Sequence, residues 1–288
     1  MLYCQWQKNI SERIVLKRLR YGLELSMIQF GASTACLYPA ETERALEQMG
    51  RLGIRQVEIF YNSPGEYETA FLKELKRILD YYGMDAVSMH PYDSFSEPYM
   101  FFTGYERRFR DQLERYRWYF EQMQIIGSKI FVFHGDRHDS VFPEEKYFER
   151  FAALAEAGKN GGVIVAQENV GRCKSRDPHF IRAMRNYLGD CVHFVLDLKQ
   201  AVRGGYSPFE MLNAMGAQVV HLHLNDHEGE QDCLLPGKGK FDFVRFFHAV
   251  TELGYHGAAL IEVYRQNFGD SIELLDSLWF LENQLKNI

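Results

Sequence analysis

The stretch AMGAQVVHLHLND, residues 214–226, carries the pattern that decides the fold. Its start reads as a helix end, because Gly216 permits the left-handed turn that stops a helix. Three residues later VVHLHL begins, short and largely apolar, as a strand covered on both faces would be. The same punctuation recurs outward in both directions. It appears in RLGIRQVEIF (51–60), YYGMDAVSMH (81–90), IIGSKIFVFH (125–134), NGGVIVAQEN (160–169), YLGDCVHFVL (187–196) and ELGYHGAALIEV (252–263).

Adding MIQFGAS (27–33) gives eight strands, most of them roughly 30 residues apart, the length of one βα unit. The intervening segments have helical period, as in FLKELKRILDYYG (71–83) and FVRFFHAVTELGY (243–255). Ser207-Pro208-Phe209-Glu210 reads as a capping box with proline at the first helical position. An open doubly wound sheet would call for a GxGxxG turn after an early strand, and the first turn is instead GASTACLYP. Residues 27–288 therefore read as one α/β domain, a (β/α)8 TIM barrel, with no linker and no second domain.

The strand ends carry the chemistry. Strands two to eight finish at Glu58, His90, His134, Glu168, Asp197, His223 (with Asp226 beyond it) and Glu262. Residues two apart share a face of a strand, so these groups point inward at the C-terminal mouth, where barrel enzymes keep their active sites. Taken singly, each has a plain structural reading. His193 or His221 would be a layer filler, Glu58 a partner for a nearby arginine, and a strand-end Asp a helix cap. Seven together are harder to dismiss, because buried carboxylates need cations beside them. A set of three carboxylates and one histidine is hard and oxygen-rich. It suits Mn2+, Mg2+ or Co2+, and Zn2+ is also compatible.

Bulk properties narrow the classes. The 288 residues are 46% hydrophobic and 25% charged, with a net charge of -6. An acidic chain has no general pull on nucleic acid, so no nucleic-acid partner is expected. No apolar run approaches the ~20 residues of a membrane span, so no membrane partner is expected either. Five cysteines at 4, 36, 173, 191 and 233 lack CxxC spacing and read as reduced thiols of a cytoplasmic protein. Residues 1–26 carry Lys8, Arg13, Lys17, Arg18 and Arg20 without a continuous apolar core, which is not a signal peptide. They are expected to be an extension, in part disordered, with Met27 as an alternative start.

The runs HLHLND, DCLLPGKGKFDF and ALIEVY, preceded by VAQEN and FVLD, resemble the xylose isomerase-like TIM-barrel superfamily over essentially 27–288. That superfamily includes sugar-phosphate isomerases and epimerases, inosose dehydratases and the endonuclease IV branch. The resemblance implies one divalent metal on Glu168, Asp197, His223 and Glu262, with Glu168 and Glu262 also acting as the acid/base pair. It implies a metal-dependent sugar or sugar-phosphate isomerase or epimerase working through an enediolate. An inosose dehydratase-like lyase is the alternative, and an endonuclease IV-like phosphodiesterase a more distant one. Two departures weigh against the last. Gln200 stands where relatives usually have a histidine, and Asp232-Cys233-Leu234 lacks the histidine of an Asp-x-His element.

The expected partner is a small carbohydrate. His90, His134, Arg172, Gln200, Asp226 and Lys238 are the candidate substrate contacts. The PGKG loop (236–239) reads either as a phosphate cradle or as a tight loop with solvated lysines. The aromatic segment HPYDSFSEPYMFF (90–102) reads as a lid or as the contact of a homo-oligomer.

Overall fold

The structure is a computed structural model that describes residues 28–288. The expectation for residues 1–26 lies outside the described residues. Eight strands form a closed parallel barrel in the order β1-β10-β7-β6-β5-β4-β3-β2. They are β1 Gln29–Ser33, β2 Gln56–Phe60, β3 Asp85–His90, β4 Ile130–Phe133, β5 Ile164–Glu168, β6 His193–Asp197, β7 Val219–Leu224 and β10 Ala258–Ile261. A hairpin of β8 Asp226–Glu228 and β9 Gln231–Leu234 interrupts the last crossover. Around the barrel run α1 Thr42–Leu52, α2 Thr69–Tyr82, α3 Glu97–Met100, α4 Glu106–Ile126 and α5 Glu144–Asn160. They continue as α6 Pro178–Leu188, α7 Leu198–Gly204, α8 Pro208–Met215, α9 Phe243–Glu252 and α10 Glu273–Leu285.

The helices form where the sequence pattern puts them. Helix α2 turns Leu72, Leu75 and Leu79 inward and stops at Gly83, whose φ of 62° is the left-handed conformation expected of a C-terminal glycine. Helix α8 begins with the expected capping box, Ser207 accepting from Phe209 N and Glu210 accepting from Ser207 N. No helix among the described residues is long and apolar enough to cross a membrane.

Two cores result. The larger lies between the barrel wall and the helices and holds Leu46, Phe131, Phe194, Leu222 and Phe247. The smaller is an aliphatic plug inside the barrel, Ile130, Val132, Ala166 and Val195. Leu260 adds to the apolar interior, and polar groups fill much of the rest. Glu58, Ser88, His221 and His223 are fully buried there. Register aligns the inward positions, Glu58 beside Ser88 and Asp197 beside His223. Strand parity thus stacks polar groups toward the C-terminal mouth.

The barrel closes tightly at β1. A Cβ on Gly31 would lie 1.8 Å from the carbonyl oxygen of Gln56, which is backbone and cannot swing aside. Gly31→Ala is expected to cost about 3 kcal/mol or more, since overpacking here must move a strand. Urea unfolding of the variant against wild type measures it, and an unchanged midpoint would show that β1 is not so constrained.

Candidate metal centre and catalytic site

Four strand ends converge. Glu168 ends β5, Asp197 ends β6, His223 lies on β7 and Glu262 follows β10. Ligand atoms of all four lie within 4.8 Å of one another. His223 Nδ1 is the hub, 3.0 Å from Glu168 Oε1, 3.6 Å from Glu262 Oε2 and 3.8 Å from Asp197 Oδ2. The Glu262 side chain is 12% exposed and the other three are 2% or less, so Glu262 borders the solvent.

Deeper groups aim this hub. His223 Nε2 lies 3.1 Å from Glu58 Oε2, which also accepts from Ser88 Oγ at 2.7 Å. Ser88 Oγ in turn contacts His221 Nε2 at 3.1 Å. A proton on Nε2 directed at Glu58 leaves the Nδ1 lone pair facing the three carboxylates, which is the tautomer a metal ligand needs. Burial pushes the Glu58 carboxyl up, but His223 and His221 outweigh it and hold Glu58 well below the usual range. Burial likewise pulls the His223 imidazole down, yet Glu58, Glu262 and Glu168 hold it well above its ordinary value, so without a metal Nδ1 also carries a proton, which a bound dication would displace while Nε2–H stays on Glu58.

Asp197 has two jobs. Its Oδ1 accepts from Gln200 N at 3.1 Å, capping α7, and from Asn225 Nδ2 at 3.1 Å. Its Oδ2 faces the site. Asn169 clamps the Asp197 backbone on both sides, accepting from Asp197 N at 2.8 Å and donating to Asp197 O at 2.9 Å. Burial, against the attraction of Lys199, raises the Asp197 carboxyl to about 6, with Glu262 and Glu168 adding to the rise. Lys199 Nζ bonds Asp197 Oδ2 at 2.6 Å and also Glu262 Oε2.

His90, His134 and Arg172 meet the quartet at Glu168. His134 Nε2 lies 2.8 Å from Glu168 Oε2 and 2.8 Å from His90 Nε2. The Arg172 guanidinium reaches His134 Nδ1 at 3.0 Å. A guanidinium only donates, so His134 Nδ1 must accept and its proton sits on Nε2, directed at Glu168. Together with Glu168 these two histidines do offer three ligand atoms within 4.8 Å. The tautomer that Arg172 imposes makes His134 a donor to Glu168 rather than a ligand there. Burial and the neighbouring His134 push His90 down to about 3, so it is neutral. Burial opposes the ionised form of Glu168, but His134 and His223 hold its carboxyl well below the ordinary value.

The remaining substrate candidates lie differently. Gln200 Oε1 accepts from Gly171 N at 3.0 Å, joining the loops after β5 and β6. Asp226 is fully buried, and its carboxylate accepts from the backbone N–H groups of His227, Gly237, Gly239 and Phe241 at 2.8–3.0 Å. It organises the PGKG loop. The loop's Gly237 and Gly239 amides therefore point at Asp226, which removes the phosphate-cradle reading. Lys238 is 55% exposed and 3.9 Å from Glu273. The tight-loop reading of PGKG is the one the geometry fits.

The aromatic segment is pinned rather than free. Glu97 is fully buried and accepts from His134 N, Gly135 N and Tyr116 Oη. Phe101 and Phe102 are buried, and Phe102 stacks on Tyr147 at 4.1 Å. Only Phe95 and Tyr99 of the segment project, as large exposed aromatics. Asp232 is paired with Arg203 by two hydrogen bonds, which takes it away from any metal.

Lys199, Asn169 and Asn225 were missed from the sequence, and the plain structural alternative for Glu58, an arginine partner, is replaced by His223 and His221. Asn169 directly follows Glu168, and Asn225 comes two residues after His223 at the end of β7, which was an available signal. Lys199 left no such trace, being a helix residue by pattern.

The profile of the family described as Xylose isomerase-like TIM barrel matches residues 20–281, and the chain belongs to that family. The curated inosose dehydratase of Geobacillus kaustophilus (strain HTA426) is 22% identical over 259 residues, 76% of this chain and 79% of that protein. The D-psicose 3-epimerase of Clostridium cellulolyticum H10, solved with D-tagatose, superimposes with a TM-score of 0.74 at 16% identity, covering 89% of this chain and 99% of that one. The IOLI protein with a bound zinc atom superimposes with a TM-score of 0.70 at 17% identity, covering 90% and 97%. At these identities the structural likeness is one of fold.

Glu58→Gln removes the charge that orients His223 while keeping the side chain's shape. Mn2+ affinity, measured by calorimetry, is expected to fall roughly 10–100-fold. Unaltered affinity would show that Glu58 does not orient the histidine.

Proposed function

We propose that the protein is a sugar or sugar-phosphate isomerase or epimerase that uses one divalent metal held by Glu168, Asp197, His223 and Glu262. The observation that carries this reading is the convergence of three carboxylates on one correctly oriented imidazole nitrogen. The residues fit a dication. Lys199 and a protonated His223 supply two positive charges against the carboxylates of Glu58, Glu168, Asp197 and Glu262, and burying the remaining negative charge without a cation would be costly. The oxygen-rich donors favour Mn2+, Mg2+ or Co2+, with Zn2+ compatible. When bound, the metal would polarise a substrate carbonyl and make the neighbouring C–H acidic enough for a carboxylate to remove.

The chain's own groups divide the rest of the work. In barrel order β10 and β5 flank β7 and β6, so Glu262 and Glu168 stand on either side of His223 and Asp197. That is the arrangement a two-base proton exchange requires. One glutamate takes the proton next to the carbonyl, and the other returns one to the resulting enediolate from the opposite side. Glu168 is held ionised by the hydrogen bond that His134 donates to it, and so is able to take a proton. Glu262 lies at the solvent border, where substrate enters. Arg172, His134 and His90 line the Glu168 side and offer polar contacts to sugar hydroxyls. The sequence likeness to an inosose dehydratase supports a second reading, in which the same proton abstraction is followed by loss of a β-hydroxyl.

Glu262→Gln is expected to lower kcat about 10²–10⁴-fold while the protein still takes up metal. Mass spectrometry of the product separates the two readings, because an epimer keeps the substrate's mass and a dehydration product is one water lighter. A wild-type protein that takes up metal yet is inert on ketoses, ketose phosphates and inososes would contradict both.

A further inference from the structure

The chemistry just described does not call on Lys199, yet Lys199 is a buried cation at the centre of the site. It follows Asp197 by two residues on the helix that Asp197 caps, and its side chain is 3% exposed. A buried ammonium is costly unless closely paired. Here Nζ is paired twice, with Asp197 Oδ2 at 2.6 Å and with Glu262 Oε2. These are the same two oxygens that face His223 Nδ1 across the site. Asp197 has no alternative to offer, because its Oδ1 is engaged by Gln200 N and Asn225 Nδ2. The tethered ammonium and a dication in the quartet would therefore draw on the same oxygens, and at such separations two cations repel strongly.

Resting on the metal reading above, we propose that Lys199 is a tethered cation that competes with the divalent metal for Asp197 and Glu262, and so sets how tightly the metal is held. The lysine stem has four flexible carbons, so the ammonium can exchange places without moving the helix. The Tyr264 ring centroid is 5.9 Å from Nζ and the residue is 41% exposed, which gives the ammonium an aromatic face within reach. The device is an exchange. The oxygens keep a cation in either arrangement, and buried negative charge is never left bare.

Chelator-treated wild type and Lys199→Met are titrated with Mn2+ by calorimetry, and their thermal unfolding is followed with and without Mn2+. Lys199→Met is expected to bind Mn2+ roughly tenfold tighter or more. It is also expected to melt below wild type in chelator, with saturating Mn2+ closing the gap. Equal or weaker binding by Lys199→Met overturns the proposal, since the ammonium would then be aligning the ligands. Uptake by Lys199→Met alone is the extreme of competition and supports it. Uptake by neither protein overturns the metal reading itself, and this inference with it. Should Lys199→Met not fold, wild type alone decides. Reductive methylation of Lys199, read by mass spectrometry, is expected to rise when Mn2+ is bound, and constant or reduced labelling overturns the proposal.

Discussion

Three carboxylates turned toward one imidazole nitrogen, nearly all of it out of water, is the arrangement on which the mouth of this barrel depends. Such a cluster repels itself, and every group around it answers that repulsion. His134 donates to Glu168, Lys199 donates to Asp197 and Glu262, and Asn225 and the first turn of α7 donate to Asp197. Below the cluster, Glu58 fixes the histidine that the three carboxylates share. Removing any one donor would leave a buried charge short of a partner, which costs more than the bond itself.

The loops at the same face are built by a related device. Buried carboxylates accept backbone N–H groups and so fix the path of the chain after a strand. Glu66 does so after β2, through Asn62 N. Glu97 does so at the end of β4, Asp197 after β6 and Asp226 after β7. Only Asp197 combines this task with a place in the quartet. Its helix cap and its site oxygen are two ends of one carboxylate, so α7, and Lys199 with it, is held in fixed relation to the site.

The barrel was legible because its signals are local and repeated. Glycine stops and apolar runs mark each unit, and strand parity then tells which residues face inward. Glu168, Asp197, His223 and Glu262 stood among seven strand-end groups for that reason, the family resemblance singled them out, and their meeting follows from the closed strand order. Lys199 was illegible because it is not on a strand, and nothing in a helical pattern says that a side chain folds back over the preceding strand end. Asp226 misled for the converse reason. It sits at a strand end like the others, but its carboxylate turns to the backbone of a loop that closes around it, and sequence spacing does not encode that turn. The PGKG glycines likewise announce close backbone approach without saying to what, and here a Cβ on Gly239 would strike Asp226 itself, 2.5 Å from Oδ1.

A crystal grown with Mn2+ and measured for anomalous scattering tests the central claim most directly. One strong peak per chain is expected, within coordination distance of Glu168, Asp197, His223 and Glu262. A strongest peak on His90 and His134 away from Asp197 and Glu262, or no peak at the barrel mouth, would contradict it.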